Sequence, residues 1–310
     1  MPDDARGEGP EHKHDAAAAI GTALIFGFLA YALFSVADAS IKGIGGRLSV
    51  FEVSFLIALI GLFLLPFVKE KGDAWPRIFH MRRPVLVLFR SVAGTLAGIF
   101  AIVAFTAIPL AEAYALIFLA PILALVLSIL FLREQVGWRR WSSVGVGLIG
   151  VLVVMRPGFR GIEVGHIAAF LSALCIGTSV VCLRVLGNTE RRVAIFSVLN
   201  LVNLVAVLPL MLWHGILMPD LKEWALLLLC GVTAGAGQLL LMAATRRAPA
   251  NRVAPAQYSQ LVWAIIFGAV LFAEYPDLFT ATGMLLIAAS GLFLIQRRPR
   301  QAVAVPGPLP

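Results

Sequence analysis

The amino-acid sequence predicts an all-α integral membrane protein with ten transmembrane helices, arranged as two inverted five-helix repeats with both termini in the cytoplasm. Three observations predict this fold: an apolar composition, ten apolar segments of membrane-spanning length, and an internal repeat. Of the 310 residues, 60% are hydrophobic and 14% are charged, and the mean hydropathy is +0.92. A soluble domain carries about 25% charged residues. The apolar side chains must therefore face lipid or one another.

The ten segments are bounded by charged residues, glycine or proline, and each approaches the length that a bilayer-spanning helix needs, which is about 20 residues. The segments before and after them, 1–15 and 297–310, are predicted to be solvated cytoplasmic tails. The predicted transmembrane helices are 16–40, 50–68, 84–107, 110–132, 138–155, 164–186, 193–213, 223–244, 252–273 and 278–296.

The distribution of lysine and arginine predicts the orientation, because positively charged loops stay on the cytoplasmic side. Most of the 25 basic residues fall in the connections that are cytoplasmic if the N-terminus is inside. We expect cysteine labelling to place residues 70–83 and 297–300 inside and residues 43–49 and 157–163 outside. The net charge of +8 then follows from topology, and no nucleic-acid partner is predicted.

An internal repeat separates corresponding positions by about 140 residues. It divides the chain into a first five-helix unit, 16–156, and a second, 164–296. Because five is an odd number of helices, the second unit must insert upside down relative to the first, as in many secondary transporters. The matching positions are Gly21 and Gly43 with Gly165 and Gly187, Leu65-Pro66 with Leu208-Pro209, Pro109 with Pro249, and Glu134 with Glu274.

Several motifs carry a family resemblance: Arg90-Ser-Val-Ala-Gly94, Ile108-Pro109-Leu-Ala-Glu-Ala113, Leu119-Ala-Pro121, Leu132-Arg-Glu134 and Gly145-x-x-x-x-Gly150. Each unit resembles an EamA domain of the drug/metabolite transporter superfamily, although the second lacks a counterpart of Pro121. The resemblance implies a ten-helix carrier with a central cavity in the bacterial inner membrane. It further implies export of amino acids or other metabolites, with an aromatic amino-acid exporter as the first member type to consider.

Polar and aromatic side chains at mid-membrane depth are costly unless they face a cavity or a neighbouring helix, so they are the candidates for substrate binding. Gln257 and Gln260 lie on one face of the ninth helix, and Pro121 leaves a backbone carbonyl without its helical donor. The same groups also serve in helix packing, and the sequence leaves this alternative open. The predicted cavity lining is Tyr31, Arg90, Tyr114, Phe118, Gln238, Gln257, Tyr258, Gln260 and Trp263, with Ser172 and Ser179 beside it.

Charged groups inside a membrane mark substrate or proton pathways. Asp38 and Glu52 are predicted near helix ends, Glu112 in a first helical turn that favours its charge, and His166 at the surface. With no carboxylate predicted deep in the membrane, we expect transport to follow the substrate's own gradient. Arg90 either extends to the cytoplasmic face or pairs with a substrate carboxylate.

Soluble-enzyme signals are weak in this chain. Gly145-x-Gly147-x-x-Gly150 matches a dinucleotide fingerprint in letters, but it lies in an apolar helix without a preceding strand, so it predicts packing glycines. The three cysteines have no metal or redox spacing, and neither a cofactor nor a metal is predicted.

The expected partners are a small-molecule substrate and the lipid bilayer. The sequence sets no oligomeric state, and a monomer is compatible with it. An uptake carrier of the same fold, an integral-membrane enzyme and a scaffold remain alternatives to an exporter. An enzyme would need ionisable groups converging at one depth, whereas those of this chain are scattered near predicted helix ends.

Overall fold

The computed structural model describes residues 10–63, 65–68, 81–133, 137–156, 161–186, 190–248 and 253–296, and their regular structure is entirely helical. Glu134, Gly187 and Pro249 of the predicted repeat lie outside the described residues. The helices are α1 Pro10–Ile44, α2 Val50–Phe63, α3 Leu65–Val68, α4 Pro84–Ala107, α5 Leu110–Ile117, α6 Ala120–Leu132, α7 Trp138–Met155, α8 Val164–Leu186, α9 Arg192–His214, α10 Leu221–Arg247, the 3-10 helix η1 Ala254–Tyr258, α11 Ser259–Phe272 and α12 Leu278–Gln296.

Seven helical stretches of the described chain are long and apolar enough to cross a membrane, and three shorter apolar helices accompany them. The prediction of an all-helical membrane protein is thereby confirmed. The shorter helices are Val50–Phe63, Trp141–Met155 and Leu278–Phe293, and each corresponds to a predicted segment.

The structure corrects the predicted first, fourth and ninth helices. The first helix starts at Pro10, inside the predicted tail, and continues to Ile44 rather than ending at residue 40. The predicted helix 110–132 is interrupted at Phe118 and Leu119, and the predicted helix 252–273 begins with a 3-10 turn. The predicted apolar segments ended at charged residues, glycine or proline, so the first of them stopped at residue 40 and missed the last turn of α1, which carries Lys42.

The helix ends meet at two opposite ends of the bundle. Lys42 Nζ donates to the carbonyl oxygens of Phe105 at 3.1 Å and Ile108 at 2.8 Å, so the last turns of α1 and α4 lie side by side. Gly165, at the start of α8, packs against Ile108, and Arg83, at the start of α4, donates to the carbonyl of Val185 near the end of α8. We call these the Lys42 end and the Arg83 end.

The core of the bundle surrounds α5, whose residues 110–116 are all buried. Buried residues of α1, α4, α8, α11 and α12 pack around it. A short helix that is buried on every side cannot face lipid, so α5 occupies the interior between the two halves of the chain.

Glycines bring α7 and α12 close together. A Cβ on Gly150 would lie 2.8 Å from Ile287 Cγ1 and 3.0 Å from the carbonyl of Gly283. A Cβ on Gly147 would clash with Ile122, whereas Gly145 faces open space. Gly147 and Gly150 are therefore packing glycines, as the sequence predicted.

Candidate functional site

Two interrupted helices meet at the centre of the molecule. The first interruption separates α5 from α6 at Phe118 and Leu119, just before Pro121, which has no N–H to donate to the carbonyl one turn earlier. The second is the change from η1 to α11 at Tyr258 and Ser259. Interrupted helices at membrane depth are tolerated where they lie within protein or line a cavity, and they frequently mark binding sites.

A chain of aromatic rings connects the two interruptions. Ring centroids are 5.5 Å apart for Phe105 and Tyr114, 6.0 Å for Tyr114 and Phe118, and 5.4 Å for Phe118 and Tyr258. The rings are tilted relative to one another, which is a favourable arrangement for aromatic pairs. Phe118 and Tyr258 thus join the two halves of the chain at the points where their helices break.

A polar cluster lies beside these rings. The Tyr114 hydroxyl donates to Asp38 Oδ2, and Gln260 Nε2 donates to the Tyr114 hydroxyl oxygen over a long 3.5 Å. Tyr114 is 3% exposed and Gln260 9%, whereas Asp38 is only partly buried. We call Asp38, Tyr114 and Gln260 the polar centre. It joins α1, α5 and α11, and its groups match the ammonium and hydroxyl donors of a small polar solute.

An ion pair fixes the start of α5, next to the polar centre. Lys42 Nζ lies 2.8 Å from Glu274 Oε1, with side chains 10% and 24% exposed. Glu274 Oε2 also accepts the backbone N–H of Leu110 at 3.1 Å, while Lys42 holds the carbonyl of Ile108. The pair therefore satisfies backbone groups on both sides of the α4–α5 junction, where the helical pattern is broken.

Three further contacts between titratable groups join the two halves at the Lys42 end within the described residues. They are Glu112 with His166, whose facing atoms are 3.1 Å apart, Arg47 with Glu223, and Arg156 with Asp277. Together with Lys42 and Glu274, they connect the two halves at this end of the bundle.

The Arg156–Asp277 contact lies outside the membrane-spanning helices. Desolvation acts to raise the pKa of Asp277, but hydrogen bonds from Thr280 and Arg156 outweigh it and lower the pKa to about 2. Asp277 therefore stays ionised at every physiological pH.

The structure brings together four of the predicted cavity residues: Tyr114, Phe118, Tyr258 and Gln260. Tyr31 lies on the same face of α1 as Asp38, with its ring 5.8 Å from that of Phe34.

The remaining predicted residues surround this group. Trp263 stacks on Phe267 with ring centroids 5.6 Å apart, one turn beyond Gln260. Gln257 and Gln238 are partly buried, and Gln238 follows Gly237, which packs against the backbone of Ala30. Ser172 bonds the carbonyl of Ala97, which is a packing contact.

Arg90 lies apart from the polar centre. Since an α-helix rises about 1.5 Å per residue, Arg90 and Phe105 are about 22 Å apart along α4, which is longer than an amino acid. Its Nε and Nη1 are buried and have no hydrogen-bond partner among the described residues. One small substrate molecule cannot contact Arg90 and Tyr114 together.

Sequence reasoning missed the roles of Asp38, Lys42 and His166. Asp38 was placed near a helix end, but α1 extends beyond it and turns it toward Tyr114. His166 was predicted at the surface, but it is 7% exposed and faces Glu112. Tyr31, Asp38 and Lys42 are spaced so that they lie on one face of α1. This spacing was a signal that could have identified Asp38 and Lys42.

Comparisons with known proteins identify the family. The model of the EamA-like transporter family matches residues 21–156 and again residues 163–296, which together cover most of the chain. The chain belongs to the EamA-like transporter family. It is therefore a multi-pass membrane transporter with a small-molecule substrate, and the prediction that it is not an enzyme is confirmed by the family and its named members.

Two named relatives illustrate the range of this family. The pseudopaline exporter CntI of Pseudomonas aeruginosa is 30% identical over 275 residues, covering 87% of this chain and 95% of the relative. The S-adenosylmethionine uptake transporter of Rickettsia felis is 27% identical over 266 residues, covering 84% and 88%. The two names differ in both substrate and direction.

A crystal structure supports the fold. It aligns with a TM-score of 0.62 at 17% sequence identity, covering 88% of this chain and 96% of the other. Within the described residues, no group of three or more His, Cys, Asp or Glu side chains is arranged to hold a metal ion.

Proposed function

We propose that the chain exports amino acids, aromatic or other neutral ones, across the bacterial inner membrane by alternating access through a central cavity between its two halves. The observation that carries the proposal is the meeting of two interrupted helices at Phe118 and Tyr258, beside the polar centre. Aromatic rings offer an apolar surface to a substrate side chain, and the polar centre offers hydrogen bonds to its polar end.

The predicted inverted repeat supports alternating access. The two interruptions are separated by about 140 residues, which is also the separation of the sequence repeat. The family model matches the chain twice, with one match in each half. Two structurally related halves around a central site can rock relative to one another and expose the site to either side.

The proposed orientation places the Lys42 end outside and the Arg83 end in the cytoplasm. It follows from the concentration of basic residues in the connections at the Arg83 end. The four contacts between titratable groups then close the periplasmic side, and opening that side requires them to separate.

The other predicted residues have distinct places in this proposal. Tyr31, Gln238, Gln257 and Trp263 line the cavity around the polar centre. Arg90 contacts the substrate carboxylate on the path from the cytoplasm, because it is too far from Tyr114 to bind the same molecule in the central site.

An uptake carrier is the second candidate, and the relative named for S-adenosylmethionine uptake favours it. Both candidates use the same cavity, and they differ in the direction of net flux.

Exchange in proteoliposomes tests the proposed function. Vesicles containing the purified protein and loaded with unlabelled L-phenylalanine should take up labelled L-phenylalanine, and vesicles without protein should not. Excess tyrosine or leucine should compete for this exchange, whereas a nucleobase should not. Absence of protein-dependent exchange for every amino acid in the competition panel would reject the amino-acid substrate.

The cavity lining is tested by substitution in the same assay. Gln257→Ala, Gln260→Ala and Tyr114→Ala each remove hydrogen-bonding groups, and loss of a direct contact costs about 1 kcal/mol, or roughly fivefold in affinity. If these groups only support packing, the variants should lose thermal stability while the affinity of the folded protein is unchanged.

A further inference from the structure

Asp38 is a carboxylate in the interior without a counter-charge. It accepts the Tyr114 hydroxyl, and no cationic side chain of the described residues lies within ion-pair distance of it. Lys42, one turn further along α1, is held by Glu274 and by the carbonyls of Phe105 and Ile108. Lys42, the nearest cation along α1, is thus paired with Glu274 and not with Asp38.

A carboxylate removed from water is stabilised either by a proton or by a positively charged partner. Asp38 accepts from Tyr114 of the aromatic chain and is only partly buried, so part of its surface remains accessible to a solute. Protonation and binding of a cation each remove the uncompensated charge, and both cannot occur at the same oxygen atoms together.

We propose that the Asp38 carboxylate binds a proton and the ammonium group of the substrate in alternation, so that each substrate molecule exported is exchanged for one proton. This inference rests on the proposed function, because it requires a substrate with an ammonium group. It replaces the expectation from the sequence that transport follows the substrate's own gradient, since that expectation assumed no carboxylate deep in the membrane. As the ammonium group arrives, the O–H bond of the carboxylic acid breaks and its proton passes to solvent. As the substrate leaves on the opposite side, the carboxylate takes a proton from solvent there.

The elements packed around α1 leave Asp38 as the group that titrates at this position. α10 contributes the thiol of Cys230, which lies close enough to interact electrostatically with Asp38, and α5 contributes the phenol of Tyr114, which donates to it; thiols and phenols are ordinarily neutral near pH 7. α11 contributes the amide of Gln260, and α4 the apolar ring of Phe105 beside Tyr114.

The remaining neighbours are turned elsewhere or already paired. Tyr258 of η1 lies against Gly291, where a Cβ would come within 1.7 Å of its hydroxyl oxygen. Lys42 and Glu274 compensate one another. Among the described residues packed around Asp38, no other titratable group therefore replaces it in the exchange.

The polar centre also transmits the state of Asp38 to both halves. Tyr114 donates to the carboxylate, and Gln260 of the second half donates to the Tyr114 hydroxyl oxygen. When Asp38 is protonated, it can donate in turn, and the hydrogen bonds between α1, α5 and α11 must rearrange. The Lys42–Glu274 pair lies about one helical turn beyond Asp38, toward the Lys42 end.

Binding to the purified protein in detergent tests the exchange with three probes: L-phenylalanine, phenethylamine and 3-phenylpropionate. The first two carry an ammonium group, and the third does not. At pH values below the pKa of the carboxyl group, we expect the Kd of the two ammonium compounds to rise about tenfold for each unit by which the pH falls. Adding L-phenylalanine to weakly buffered protein at acidic pH should release protons. 3-Phenylpropionate should bind weakly and release none.

Variants assign the effect to one carboxyl group. Asp38→Asn should remove both the pH dependence and the proton release, and Asp38→Glu should retain them. Glu52→Gln is the matched control, because Glu52 is a buried carboxylate on α2 that is not part of the polar centre. It should behave as the wild type. The wild-type pH series tests the proposal even if Asp38→Asn does not fold.

The outcomes separate this inference from the proposed function. Exchange of L-phenylalanine with an affinity that is constant across the range in which carboxyl groups of proteins titrate, from about pH 3 to about pH 8, or proton release that persists in Asp38→Asn, overturns the role of Asp38 and leaves the amino-acid exporter intact. Failure of the protein to bind or exchange any amino acid overturns the exporter, and this inference with it.

Discussion

The two interruptions differ in their backbone, because the first is a break between two α-helices and the second is a change from a 3-10 helix to an α-helix, and they also differ in their surroundings. At the α5–α6 interruption, Tyr114 donates to Asp38, and the start of α5 is held by Lys42 and Glu274. At the η1–α11 interruption, the Tyr258 hydroxyl is buried without a hydrogen-bond partner among the described residues and lies against Gly291. Polar groups hold the α5–α6 interruption in place, whereas close packing holds the η1–α11 interruption.

This difference indicates a division of roles between the halves. A buried hydroxyl without a partner costs free energy, so Tyr258 is held in place by the fit of its ring against Phe118 and α12. The charged and hydrogen-bonding groups at the first interruption can instead change partners when a substrate binds. Substitutions at the two interruptions can therefore separate effects on substrate binding from effects on packing.

The largest expected effect concerns the ion pair at the start of α5. Glu274→Gln keeps an acceptor for Leu110 but leaves Lys42 as an uncompensated, mostly buried cation, which typically costs about 3–5 kcal/mol. Thermal unfolding in detergent should show a large loss of stability. Asp277→Asn, which affects a more exposed pair, should cost less than about 1 kcal/mol. Equal stability of Glu274→Gln and wild type would show that the pair does not hold this interruption.

The second effect concerns packing at η1. Gly291→Ala places a methyl group where the Tyr258 side chain now lies, and such overpacking typically costs about 1–3 kcal/mol. Gly98→Ala is the matched control, because nothing lies within 4 Å of the position of its Cβ. It should be neutral or slightly stabilising in the same thermal measurement. A Gly291→Ala variant as stable as Gly98→Ala would contradict the close fit at the second interruption.

The smallest effect concerns pH. Because the pKa of Asp277 is lowered to about 2, its contribution to stability is fully present above about pH 4 and is lost as the pH falls from there to about 2. The difference in melting temperature between wild type and Asp277→Asn should be constant from about pH 5 to about pH 8. A change within that range would mean that this contact titrates and contributes to pH-dependent closure of the Lys42 end.

The sequence predicted the helices and part of the site for identifiable reasons. Apolar length alone marks the membrane segments. Tyr114, Phe118 and Gln260, which the structure brings together, were predicted for the site because polar and aromatic groups at mid-depth are rare enough to be informative. The interruption after Phe118 was signalled by Pro121.

Lys42 and Asp38 could not be placed in the same way. Whether a charged residue near a helix end faces water or the interior depends on its partner, and Glu274 and Tyr114 lie in distant parts of the chain. The burial of His166 likewise depends on Glu112. Without knowledge of which helices pack together, each of these residues looked like an ordinary helix-terminal group.

The central claim is that substrate binds at the polar groups of the α5–α6 interruption and not at the η1–α11 interruption. A matched pair of hydroxyl deletions tests this claim most directly. Tyr114→Phe removes the phenol hydroxyl at the α5–α6 interruption, and Tyr258→Phe removes it at the η1–α11 interruption. The measurement is the Kd of L-phenylalanine together with the melting temperature. Tyr114→Phe should weaken binding several-fold, since a lost hydrogen bond costs about 1 kcal/mol. Tyr258→Phe should leave the Kd unchanged and the stability equal or higher. An unchanged Kd in Tyr114→Phe, or an equal loss of affinity in both variants, would contradict the account.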